Sequence, residues 1–390
     1  MRGIKVLCGL VLFFAAGCDF FVPLSSDGNG SNNGDYLYAG NGNNRFIAGF
    51  GVATSGALSV LPSSPYNNGV AVLSAAITPG NRFLYAGTTA GIFVYAINSD
   101  GSLTVQDGGK VAAQDVVPTV MQVDSTGGYL LAAGVATSLT VQGIGIYQID
   151  STSGLLTAVG GSPLSLYTGT ASTPTVLTPT AMLITPNNAY VYVSLASLGV
   201  QVLTLGSGGA LSTGNPATIL PPDPRSASPA DYGLASDPGS KFLFVCEFNT
   251  GLRVLSIGTN GTLNEVSGSP YPVGTGPAGV ILDPTGSYVY VANKGSNNIS
   301  GFTLTTASGR LTPISGSPFS SGGQLPIAFA NDYSKKYLAV INSGSNGSGG
   351  NSDLQLYSFD STVDGKLNPV STATTGTDPA NPQVIAATTQ

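Results

Sequence analysis

The chain has 390 residues, 13 of them Lys or Arg and 19 Asp or Glu, and it contains neither histidine nor tryptophan. Its net charge of −6, spread without a basic cluster, argues against nucleic acid and anionic membrane surfaces as partners, and the lack of histidine excludes a Ser-His-Asp triad and any histidine-bearing metal site. With 54 glycines, short β-branched and aromatic runs and no sustained helical period, the composition is that of an all-β protein built from many turns.

Arg2 and Lys5 flank the start of an uncharged apolar stretch, residues 6–16. It is too short to span a bilayer comfortably, so residues 1–17 read as a signal peptide. The segment ends Ala15-Ala16-Gly17-Cys18, and small residues directly before a cysteine resemble the lipobox of bacterial lipoproteins. That resemblance implies cleavage before Cys18, lipidation of Cys18, and export to the cell envelope with the membrane engaged through the lipid anchor. Residues 18–34 are rich in Ser, Asn and Gly and read as a flexible tether. Residues 35–390 form the folded body, expected to be a monomer. The cysteines build no disulfide framework, so the fold must rest on its core. Cys246, inside the run Phe242-Leu243-Phe244-Val245, reads as a small buried hydrophobe.

The body is repetitive. Its clearest copy runs Pro277-Ala278-Gly279-Val280-Ile281-Leu282-Asp283-Pro284-Thr285-Gly286, then Tyr288-Val289-Tyr290-Val291-Ala292-Asn293, then Ile299-Ser300-Gly301-Phe302-Thr303-Leu304, and closes on Arg310-Leu311-Thr312-Pro313. This predicts four strands joined by three tight turns. Equivalent second strands recur at residues 36–40, 83–87, 129–133, 190–194, 241–246, 288–293 and 337–341, their centres 46 to 60 residues apart. Four strands in units of about 40 to 50 residues are a propeller signature, and seven second strands predict seven blades. The first blade has no leading strand, whereas residues 379–387 look like a leading strand with nothing after it. A C-terminal strand completing the N-terminal blade accounts for both ends and leaves no unpaired edge.

The segment Tyr288-Val289-Tyr290-Val291-Ala292-Asn293 and the blade-ending Gly-Ser-Pro-aromatic at residues 268–271 and 316–319 resemble the seven-bladed lactonase-type propellers. Their best-known enzyme is a 6-phosphogluconolactonase. The resemblance covers the chain from Tyr36 onward. It rests on strand and turn elements, so it implies the fold directly and a lactonase activity only by analogy.

In such a ring the loops between second and third strands share one face with the inter-blade connections, and this loop face is the expected ligand site. The connections at residues 164–179 and 221–229, flanking blade four, are the longest. For lactone hydrolysis the face would need a base and a positive group for the oxyanion. Glu247 as base, with Arg45, Arg225 or Lys294 as its electrostatic partner, is the constellation the sequence offers. Asp124, Asp237, Asp283 and Asp332 recur at the opposite face, where turn chemistry explains them. There is no Gly-x-Ser-x-Gly elbow, calcium loop or phosphate loop, and no cofactor or metal is expected. Two functions stand. The first is non-catalytic binding of a protein, glycan or small ligand through loops rich in Ser, Thr, Asn, Gly and Tyr. The second is a lactonase acting on a sugar lactone.

Overall fold

The computed structural model describes residues 34–137, 141–167, 177–225, 231–344, 353–376 and 382–389. The signal segment, Cys18 and the tether up to residue 33 lie outside these. So do parts of the two long connections beside blade four.

Seven antiparallel sheets follow one another along the chain, all but the first led by an inner strand. Second strands occupy Tyr36–Asn41, Phe83–Thr88, Tyr129–Ala136, Tyr190–Ser194, Phe242–Glu247, Tyr288–Asn293 and Tyr337–Asn342. Helix is confined among the described residues to two 3₁₀ turns, Asp107–Gly109 and Ser207–Gly209. The fold is therefore the expected all-β, seven-bladed propeller with four-stranded blades. Three blades add a two-residue fifth segment that pairs back onto the third strand: Tyr66–Asn67, Leu164–Ser165 and Phe319–Ser320. This explains the Ser-Pro-aromatic signature. The serine hydroxyl accepts a third-strand N–H, from Gly49 to Ser64 at 2.9 Å and from Gly301 to Ser317 at 2.9 Å. The residue after the proline then adds its own backbone to the ladder.

Ring closure is as expected. Pro382–Ala387 is the inner strand of the first blade and pairs antiparallel with Tyr36–Asn41, Tyr38 opposite Ala386. The repeat's turn chemistry survives the chain break. Within blades the residue ending the inner strand caps the first amide of the second: Asp283 Oδ1 accepts the Tyr288 N–H at 2.7 Å, and Thr78 Oγ1 accepts that of Phe83 at 3.1 Å. In blade one the Tyr36 N–H donates to Thr388 Oγ1 at 2.9 Å, across 352 residues of sequence. Asp124, Asp237 and Asp332 do the same for their strands, so the four recurrent aspartates are turn residues.

The core is divided rather than single. Seven apolar clusters each lie between two neighbouring blades, among them Leu37 with Ala339 between blades one and seven, and Val202 with Leu243 between blades four and five. A further contact repeats at all seven seams. The aromatic that opens each second strand lies on a left-handed glycine in the outer turn of the next blade, from Tyr36 on Gly101 round to Tyr337 on Gly56. A Cβ at Gly101 would stand 2.7 Å from the Tyr36 ring, and one at Gly56 would stand 2.8 Å from Tyr337. Only glycine combines that φ with that proximity.

Candidate functional site

Each second strand points its end at the loop face, and in every blade but the third, which ends on Ala136, that end is polar. Asn41, Thr88, Ser194, Glu247, Asn293 and Asn342 are fully buried there. Their side chains fasten inter-blade connections or the adjoining loop. The Asn41 amide donates to the Thr375 carbonyl at 3.2 Å, Ser194 accepts from Thr180 at 2.8 Å, and the Asn342 amide donates to the Ser321 carbonyl at 3.1 Å. Glycines in three connections make room for the asparagines: a Cβ at Gly274 or Gly323 would meet Asn293 or Asn342 at 2.8 Å.

Glu247 belongs to this series. It is the last residue of its strand rather than the start of a loop, and it is wholly excluded from solvent. Its two oxygens accept the Asp223 N–H at 2.9 and 3.0 Å, and Arg253 Nη1 pairs with Oε1 at 2.7 Å. The same Arg253 nitrogen donates to the Pro221 carbonyl at 3.0 Å. Arg225 grips Asp223 through Nε at 2.7 and 2.8 Å and reaches Glu265 through Nη2 at 2.7 Å. Burial works to raise the Asp223 carboxyl, but the Arg225 hydrogen bonds and charge overcome it and hold the group below its ordinary range. Arg225 is pushed up in turn by its hydrogen bonds to Asp223 and Glu265. The network pins the connection from blade four onto blade five.

The four sequence candidates are thus not gathered around one point. Glu247 and Arg225 share this clamp, while Arg45 and Lys294 are exposed in the loops of blades one and six, with no ion-pair partner among the described residues. The other described loop-face carboxylates are also engaged. Asp115 accepts the Tyr147 hydroxyl, and Asp353 Oδ2 accepts the Thr375 N–H at 3.0 Å. No three His, Cys, Asp or Glu side chains among the described residues gather as a metal would require. Cys246 is fully buried in the core between blades five and six, as its apolar run implied.

Lys294 does sit at a pocket. A cavity of about 300 Å³ opens between the loop-face ends of blades five and six, lined by Tyr232, Phe248, Pro277, Lys294 and the glycines Gly276 and Gly295. This lies at the lower end of small-molecule pockets, about 300–1,000 Å³. Its backbone floor is held by the Lys294 N–H on the Gly276 carbonyl and the Gly295 N–H on the Thr275 carbonyl, both 2.9 Å. Tyr232 and Phe248 meet edge to face at 5.9 Å between centroids, and Phe248 keeps 36% of its surface exposed. Neither aromatic stood out in the sequence. The available signal was Phe248 itself, an aromatic directly after a strand end where other blades carry Gly, Thr, Leu, Lys or Ser.

If Glu247 is a clamp, Glu247→Ala removes the close partner of the buried Arg253, leaving it only the longer pair to Glu265 at 3.9 Å, and costs about 3–5 kcal/mol in denaturant unfolding. Arg45→Ala at the surface stays within about 0.5 kcal/mol of the parent. A Glu247→Ala protein as stable as the parent would contradict the clamp.

Comparison with known proteins places this geometry. The family model described as Lactonase, 7-bladed beta-propeller matches residues 234–381. No curated protein matches the sequence. Among solved structures, the periplasmic gluconolactonase of Pseudomonas aeruginosa is similar at a TM-score of 0.70 and 17% identity, over 91% of this chain and 99% of that one. A putative 6-phosphogluconolactonase of Bacteroides uniformis is similar at 0.66 and 16%, over 91% and 99%, and one of Bacteroides fragilis at 0.66 and 16%, over 93% and 99%. The family match covers residues 234–381, and the whole ring shares the seven-bladed β-propeller fold of these solved structures.

Proposed function

We propose that this propeller binds a small cyclic sugar derivative, a sugar lactone or the sugar acid that lactone opening yields, in the pocket between blades five and six. The observation that carries this is the pairing, in one cavity of monosaccharide size, of an aromatic surface with an unpaired cation. Apolar C–H faces of a sugar ring pack against Phe248, and Lys294 takes the carbonyl or carboxylate. One lysine suits a carbonyl or a single carboxylate better than a phosphate, for which clustered or bidentate donors are the usual solution.

A second reading, hydrolysis of the lactone in the same pocket, is supported by the family match and by the likeness to a periplasmic gluconolactonase. The chemistry available from the described residues is one-sided. Lys294 would stabilise negative charge developing on the carbonyl oxygen as water attacks. The described loop-face carboxylates are committed to their own hydrogen bonds, so catalysis by these residues would be electrostatic, without a general base. The experiment is thermal melting and isothermal titration with glucono-1,5-lactone and gluconate, with lactone opening followed above its spontaneous rate. Lys294→Ala and Phe248→Ala are each expected to weaken binding about tenfold or more, the loss of about 1.4 kcal/mol. Unchanged binding in both variants would remove the pocket from the account. Binding without turnover would leave a receptor.

For its setting we propose an exported lipoprotein, a monomer held at the envelope membrane by acyl chains on Cys18 and displayed on the tether. Support comes from the basic start, the short apolar run and the small residues before Cys18. Mass spectrometry of the protein from its native membrane is expected to find an acylated Cys18 as the N-terminus, and Cys18→Ser to accumulate as full-length precursor. An unmodified N-terminus at any other residue would overturn it.

A further inference from the structure

The central channel carries a second and chemically different site. In their loop-side half the inner strands lie close together. A Cβ at Gly233 would come within 2.7 Å of the Ala278 carbonyl, one at Gly279 within 2.5 Å of the Ile327 carbonyl, and Ser74 Oγ donates to the Pro118 carbonyl at 3.0 Å. Toward the turn face the strands leave a cavity of about 810 Å³. Its wall is lined by inner-strand residues of several blades, among them Ile77, Met121, Leu183, Leu234, Val280 and Ile281, each also packed against an inter-blade cluster. These are half-buried rather than buried, so part of each apolar side chain remains open to the cavity.

The charges around this space are one-sided too. No lysine or arginine lines it, and Asp124 and Asp283 stand at its mouth. Each aspartate is fixed by its turn, Asp283 accepting the Thr285 and Tyr288 amides at 3.0 and 2.7 Å, and the Asp124 carboxylate accepting from Tyr129. They are the charged side chains lining the cavity, beside polar Ser, Thr and Asn groups, and an acidic rim disfavours phosphosugars, sugar acids and fatty acids alike. Polar groups line the turn end as well, from Ser125, Thr185, Asn188, Asn331 and Thr389, and others lie deeper. Gln122 Oε1 already accepts the Ile184 N–H at 2.7 Å, which leaves its NH₂ group, and Ser236 adds a hydroxyl.

We propose that the turn-side channel binds an uncharged, largely apolar small molecule of about two or three rings, entering from the face opposite the sugar pocket. Removing apolar wall and ligand surface from water drives such binding, and the cavity lies within the range of small-molecule sites. A hydroxyl or amine on the ligand would meet Gln122 or Ser236. This site is independent of the loop-face reading and does not need it to be correct.

Two fluorescent probes separate the alternatives. N-phenyl-1-naphthylamine is neutral and carries one N–H donor; 8-anilino-1-naphthalenesulfonate presents the same two aromatic groups with an added negative charge. The expected result is saturable binding of the neutral probe, with the sulfonate weaker by about tenfold or more. Ala75→Trp, which fills the wall, is expected to abolish the neutral probe's signal while Phe248→Ala leaves it unchanged. Should Ala75→Trp fail to fold, Met121→Glu puts a charge on the same wall and should give the same loss. No saturable signal, equal binding of the two probes, or parent-like binding in a folded wall variant would each overturn the proposal.

Discussion

The contact on which this ring depends is an aromatic ring lying on a glycine. Every second strand opens with Tyr or Phe, and each of these side chains covers the turn glycine of the following blade. The contact sets the spacing between blades, because the ring fills the place a Cβ would occupy. Where the residue is tyrosine its hydroxyl can add a hydrogen bond to the same turn: Tyr36 to the Ser99 carbonyl at 2.7 Å and Tyr337 to the Thr54 carbonyl at 2.9 Å. A second tyrosine two residues on reinforces several seams, as Tyr38 does on the Gly101 carbonyl at 2.7 Å and Tyr290 on that of Gly365 at 2.6 Å. Since the apolar core is split into seven inter-blade clusters, no blade owns a core. The stability of each therefore rests on its neighbours. The last contact, Tyr337 on Gly56, joins blade seven to blade one, and with the strand Pro382–Ala387 it turns a row of repeats into a closed object.

Closure divides labour between the two faces. Polar residues at the ends of the second strands tie down the connections of the loop face, and in blade five the tie is ionic. Breaking a buried pair is costly, yet replacing it with packed apolar groups is often neutral. A buried Glu–Arg pair in a series of Asn and Thr thus points to registering a connection rather than to raw stability. The pocket at Phe248 and Lys294 sits on the far edge of blade five from that clamped connection, on a connection and a loop whose backbones extend the blade-six ladder beyond Pro277 and Asn293. On the turn face the aspartate and threonine caps serve the backbone, which leaves the channel there to be defined by its apolar wall.

Much of this was legible in the residues. Seven copies of an apolar second strand gave the blade count, and the unmatched ends at Tyr36 and residues 379–387 gave the closure. Asp283-Pro284-Thr285-Gly286 gave its turn. The position of Glu247 could have been read as well. Aligned by repeat it stands with Asn41, Thr88, Asn293 and Asn342, a polar strand-end position, and that argues for a structural task over catalysis. Scarcity of charge instead drew attention to Glu247 as a base. What no pattern could provide is the meeting of residues from different blades. Arg253 lies six residues from Glu247 in a strand whose apolar neighbours hide it, and Tyr232 meets Phe248 only once two strands are paired. The channel's character is likewise a sum over inner strands, each too short and too ordinary to reveal it alone.

The most direct test of the closed, mutually locked ring is the stability of two glycine variants measured by denaturant unfolding. Gly80 and Gly56 both have left-handed backbones, φ +83° and +79°, but a Cβ at Gly80 meets nothing within 4 Å whereas one at Gly56 meets Val370 at 2.6 Å and Tyr337 at 2.8 Å. Gly80→Ala then bears backbone strain alone, about 1–2 kcal/mol. Gly56→Ala adds overpacking at the closing seam, a further 1–3 kcal/mol or so, in a single transition for the whole protein. Equal losses in the two variants, or a Gly56→Ala protein in which blade one melts separately from an unperturbed remainder, would contradict it.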